Sequence, residues 1–181
     1  MRVRVSGVVV GSLFFGAIIA AQAPAAKPPA PAARPAAARP LGNLAQVMRA
    51  ILFPNSNIIF FTQTDNPADP KKPLDVTFGT FANVYTGWQV VENAAIALNE
   101  SADLILKPGR VCSNGLPAPV GRADYRKFAQ GLRDAGTAAL KAAQTKDMDK
   151  MVEAAGTVSE ACENCHTVYR EKPDLKDRCK P

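Results

Sequence analysis

The sequence predicts an all-α protein, an antiparallel four-helix bundle. Three observations carry the prediction. Over the last two-thirds of the 181 residues, apolar side chains recur at steps of three and four, the helical period. The periodic stretches are separated by modest loops with Pro- and Gly-containing breakers such as Lys107-Pro108-Gly109. Little of the chain carries a strand pattern.

Residues 1–23 read as a signal peptide. Arg2 and Arg4 make a positive start, Val8 to Ala20 an apolar run, and Ala21-Gln22-Ala23 a small-x-small cleavage site. The run is short for a spanning helix, which needs about 20 apolar residues; an uncleaved N-terminal membrane anchor is the alternative. Residues 24–40 are almost all Ala and Pro. Prolines at that density block a helix, so an Ala/Pro-rich disordered linker is expected. Residues 41–181 then form the bundle domain, long enough for one core.

In the first helix of that domain Leu44, Val47, Met48, Ile51 and Leu52 are periodic, and Asn43 is a candidate cap. Pro54 should kink or end this helix, with Asn55-Ser56-Asn57 capping a second short one through Ile58 to Phe61. Asp65 to Pro73 is a loop. Phe81, Val84, Tyr85, Trp88, Val91, Ala95, Leu98, Ala102 and Ile105 mark a helix over 79–106. Tyr125, Phe128, Ala129, Leu132, Ala135, Ala139 and Ala143 mark another over 122–145. The last runs over 147–171, with Met148, Met151, Val152, Ala155, Val158, Cys162, Cys165, His166 and Tyr169 on one face, Asp147 at its start and Pro173 beyond its end.

Late in that helix stands Cys162-Glu163-Asn164-Cys165-His166, which holds the chain's one histidine. C-x-x-C-H reads as a covalent attachment site for c-type haem: two thiols form thioethers and the adjacent imidazole takes the iron. The helix explains the spacing, because residues three and four apart are surface neighbours. Cys162, Cys165 and His166 thus address one haem edge. A thioredoxin-like redox pair belongs beside a βαβ pattern, which is not visible. A structural zinc site would have to recruit Cys112 and Cys179, leaving His166 idle. An exported chain can instead use Cys112 and Cys179 as a disulfide.

Bundle topology sets two further expectations. If the first helix runs up, the last runs down, and Met48, about one turn into the first, can face the iron opposite His166. The loop holding Cys112 and the tail holding Cys179 fall at the same end. Met48 as an ordinary core residue is the plainer reading.

The continuation Cys162-Glu-Asn-Cys165-His166-Thr-Val-Tyr169-Arg170 resembles the cytochrome c-prime family, over about residues 42–172. The resemblance implies a four-helix bundle with one haem c (iron) per chain, often as a homodimer, with His166 as proximal ligand. Met48 stands at the family's distal position, which is a sixth ligand in low-spin electron carriers. In five-coordinate relatives that bind nitric oxide or carbon monoxide the distal face is unligated. It also places Arg170 beside a propionate or in the proximal pocket. Tyr169 and Trp88 are candidate haem surroundings, each with a packing role as the alternative. Pro54 and the Asn55–Phe61 segment depart from the family pattern, in which the first helix continues.

The expected function is an exported, periplasmic one-electron carrier with His166 and Met48 as axial ligands and an unidentified redox protein as partner. The gas-binding five-coordinate protein is the alternative, and a structural domain with merely paired cysteines a third. No general acid, general base or substrate pocket is readable, so an enzyme is not expected. Formal charge is +6, and falls to +4 once Arg2 and Arg4 leave with the signal peptide. With basic residues scattered and no aromatic interleaving, a nucleic-acid partner is not indicated.

Overall fold

Helix α1 spans Leu44–Phe61 in the computed structural model, which describes residues 39–69 and 85–181. The signal peptide, the linker up to residue 38 and residues 79–84 of the expected second helix lie outside the described residues. Asn43 caps α1 through a reciprocal box: its Oδ1 accepts from the Gln46 N–H at 2.9 Å, and its own N–H donates to Gln46 Oε1 at 2.8 Å.

The sequence expects Pro54 to kink or end this helix, and it does not end it. Met48–Leu52 forms a π turn, in which the Phe53 N–H reaches back five residues to the Met48 carbonyl. The wider turn absorbs one extra residue just before the proline, and Pro54 falls in the first turn of the α segment Phe53–Phe61, where a missing N–H is tolerated. Asn55 and Asn57 cap nothing. Their Nδ2 groups donate back to the carbonyls of Ile51 at 2.7 Å and Phe53 at 2.6 Å.

Helix α2 spans Trp88–Ile105 and starts later than the periodicity predicts. Gly87 before it has φ +56°, ψ −131°, a conformation open to glycine alone, and a Cβ there would lie 2.8 Å from the Pro67 carbonyl oxygen. Helix α3 spans Ala123–Thr145 and α4 spans Met148–Tyr169. A tight turn through Lys146, at φ +55°, joins them. The Asp147 carboxylate caps α4 by accepting from the N–H groups of Asp149 and Lys150 at 3.0 and 3.2 Å.

The four helices alternate in direction. The start of α1, the loop after α2, the start of α3 and the tail after α4 meet at one end. There the Leu44 N–H donates to Val111 O at 2.8 Å, Arg110 donates to Gly42 O at 2.5 Å, and Cys112 is disulfide-bonded to Cys179. Each helix packs on the next, and α1 closes the ring against α4 through Phe53–Phe61, while Leu44–Leu52 packs on α2. Leu98, Val91, Ala129, Ala139, Met151 and Val158 are fully buried in the shared core. Small residues let α2 and α3 approach closely: a Cβ on Gly136 would lie 2.7 Å from the Asn99 backbone nitrogen. Among the described residues no strand forms; an isolated bridge joins Val111 to Pro117.

Candidate haem site

The last two turns of α4 carry Cys162, Cys165 and His166, all half-buried, while Glu163 and Asn164 between them are exposed. Burial pushes both thiols up, Cys165 to about 11 with the neighbouring Cys162 as a second cause. Thiols held protonated in this way are poor redox nucleophiles, which disfavours a thioredoxin-like pair. Burial lowers the His166 pKa, Arg170 lowers it further, and Glu171 opposes them. The imidazole is therefore held in the neutral form that ligates iron.

Tyr169 fixes this end of α4 against α3. Its ring packs edge-on against Tyr125 and Phe128, with centroids 5.3 and 6.3 Å apart. Its hydroxyl accepts from Arg122 Nε at 2.9 Å. Arg122 also forks onto Asp124, Nε and Nη2 each 3.0 Å from a carboxylate oxygen. That hydrogen bond holds the Asp124 carboxyl at about 2, although burial opposes it. Burial raises the Tyr169 pKa, and Arg122 opposes the rise.

A cavity of about 800 Å³ lies between α1, α3 and α4. Cys162, Cys165 and His166 line it from α4, Met48, Leu52 and Phe60 from α1, and Phe128 and Leu132 from α3. Cys112, Ser113, Arg178 and Cys179 close its end. The size lies within the ~300–1,000 Å³ of ligand and cofactor sites. Helix α1 has a mean hydropathy of 1.2, yet only 22% of it is buried. Part of its inner face, Met48, Leu52 and Phe60 among it, looks onto this cavity.

Those features fit a haem: an apolar chamber, two free thiols at helical spacing and a neutral imidazole on one wall. They do not fit zinc. Cys112 and Cys179 are joined to each other, with Cα atoms 6.6 Å apart, so the four-thiolate set cannot assemble. Among the described residues no cluster of three His, Cys, Asp or Glu side chains is placed to hold a metal ion by itself.

Residues 121–170 match the family described as Cytochrome C'. Over that segment the chain is similar to the cytochrome c′ family. The match takes in α3 and α4 through Arg170, and so the whole attachment motif, and stops short of α1, α2 and the tail. No curated protein and no solved structure matches the chain.

The cavity gathers Met48, Cys162, Cys165, His166, Tyr169, Arg170 and both disulfide cysteines. Trp88 is not among them, which corrects the sequence expectation. It is the first residue of α2, 17 residues or about 25 Å along the helix from Ile105, whose end of the bundle holds the site. It packs instead into the opposite end of the core. Arg170 is exposed and paired with Glu171. The Arg122–Tyr169 hydrogen bond was not readable from sequence, because the two residues lie 47 positions apart.

Proposed function

We propose that this protein is an exported c-type cytochrome, similar to the cytochrome c′ family, bearing one haem thioether-linked to Cys162 and Cys165, with His166 and Met48 as axial ligands. One observation carries the reading. Met48, half-buried in the π turn of α1, lines the same cavity as Cys162, Cys165 and His166 on α4. A haem held there supplies one-electron chemistry between the ferric and ferrous states. His166 is the nitrogen donor, kept neutral by burial. Met48 is the thioether donor, which raises the potential relative to a nitrogen or oxygen ligand. Leu52, Phe60, Phe128 and Leu132 present apolar side chains to the chamber, which would lower the dielectric around a bound haem, a second lever on the potential. The periplasm is the compartment that suits both the attachment chemistry and the Cys112–Cys179 disulfide. A redox protein is the partner.

The test is optical. Covalent haem survives denaturation and stains. The ferric protein should then show a low-spin spectrum with a methionine-to-iron charge-transfer band, and Met48→Ala should abolish that band and give a high-spin species. A wild-type ferric spectrum that is already high-spin, and is unchanged by Met48→Ala, would replace the electron carrier with the five-coordinate reading, a protein that binds nitric oxide or carbon monoxide.

A further inference from the structure

The tail after α4 lies beyond the residues that match the family, yet it closes one end of the cavity. It is tied down at several points. Cys179 is disulfide-bonded to Cys112, and its N–H donates to the Tyr169 carbonyl at 2.8 Å. Asn114 Nδ2 donates to the carbonyls of Leu175, Lys176 and Arg178 at 3.1, 3.2 and 2.9 Å. Arg178 is therefore fixed at its own carbonyl and at the next residue. Its side chain lines the cavity, and its Nε is buried with no hydrogen-bond partner.

A buried donor on a charged group is expensive to leave unpaired, and such groups are rare in native proteins. The other guanidiniums on this cavity are differently placed. Arg170 is exposed and bonds Glu171; Arg49 is exposed on α1. Glu171 lies within electrostatic reach of Arg178, but its hydrogen bonds come from Arg170. Among the described residues, Arg178 is the guanidinium lining this cavity that has a buried N–H without an acceptor. A guanidinium prefers a carboxylate.

We propose that Arg178 is a carboxylate-binding residue of the cofactor site, its Nε–H donating to a propionate oxygen of the haem and the Cys112–Cys179 tether holding it there. The inference rests on the haem reading given above. It assigns the tail a binding role and moves the propionate contact from Arg170, which the family resemblance implies, to Arg178.

The haem-loaded wild-type protein tests it. Mass measured after denaturation reports covalent haem first, and a chain without haem would remove both the reading and this inference. With haem attached, a crystal structure should place Arg178 Nε about 2.7–3.2 Å from a propionate oxygen. Nε bonded to water, or to nothing, would overturn the inference and leave the haem reading standing. This measurement does not depend on a variant folding. In solution, an opposite charge at this range holds a carboxyl pKa down by about 1–3 units. Arg178→Gln should therefore move the acidic inflection of the reduction potential up by about one pH unit or more, and lower the potential above it. Arg178→Lys should restore most of the shift. Superimposable pH profiles for the wild type and Arg178→Gln, both disulfide-intact by mass, would also overturn it.

Discussion

Cys112 and Cys179 are disulfide-bonded across 67 residues of sequence, joining the loop after α2 to the tail after α4. The cross-link encloses all of α3 and α4. Closing a loop of that length in the unfolded chain accounts for about 4 kcal/mol by chain entropy, with measured values for native disulfides of about 2–5 kcal/mol. Replacing both cysteines with alanine should therefore lower the unfolding free energy by about 2–4 kcal/mol in urea titrations. Leu44 and Val111 meet at the same end, so the loss should be felt by α1 as well. An unchanged urea midpoint would show that the tail adds nothing to the fold.

Two glycines in α3 should respond oppositely to alanine. A Cβ on Gly136 would stand 2.7 and 2.9 Å from the backbone nitrogen and Cα of Asn99, which cannot swing aside as a side-chain tip can. Gly136→Ala should cost about 1–3 kcal/mol by forcing α2 and α3 apart. A Cβ on Gly131 meets nothing within 4 Å. There the helix gains alanine's propensity, and Gly131→Ala should stabilise by about 0.5–1 kcal/mol. Paired urea titrations of the two variants check both signs.

Asp124 should titrate well below an ordinary carboxyl. Its hydrogen bonds from Arg122 hold it at about 2, against an ordinary value of 3.8. A group whose folded pKa is depressed contributes stability that is present above the ordinary value and lost as pH falls through the folded one. The contribution should thus fade between about pH 4 and pH 2. Because the pair is solvent-exposed, the effect is modest and screened by salt. Carbon-13 NMR of the carboxyl should give a pKa near 2, and Asp124→Asn should flatten the acid limb of the stability profile. A carboxyl titrating near 3.8 would mean that the Arg122 fork does not persist in solution.

The helices that were legible in the sequence are those with unbroken periodicity and a clear stop. The range 122–145 read from Tyr125 through Ala143 matches α3 within a residue at each end, and Asp147 marks the start of α4 because a carboxylate there has two free N–H groups to accept from. The haem motif was legible for the same reason: Cys162, Cys165 and His166 need only a helix to converge. The path of α1 was not. Pro54 signals a break, and no residue type signals a π turn; what keeps the helix going is packing on both sides of it, Leu44 and Leu52 before and Ile59 after. The start of α2 was misplaced because Tyr85 keeps the apolar period while Gly87 turns the backbone out of it. Arg178 carried no signal at all, since a disulfide and Asn114, not periodicity, set its position.

The π turn in α1 makes the last prediction. One residue on an α-helix rotates the side chains beyond it by about 100°. Phe53–Phe61 is anchored on α4, and Leu44 at the other end is anchored by Val111, so the extra residue within Met48–Leu52 sets how Met48 is aimed relative to the α4 contact. Ala50 is exposed within that turn. Deleting it should let α1 revert to a regular helix and turn Met48 off the cavity, while Cys162, Cys165 and His166 stay in place on α4. On the proposed reading, the product should keep covalent haem but lose the low-spin methionine spectrum, as is expected of Met48→Ala. Pro54→Ala leaves the residue count intact and should keep that spectrum. If the Ala50 deletion retains the methionine band, the π turn does not aim Met48, and the register of α1 must be set elsewhere along the helix.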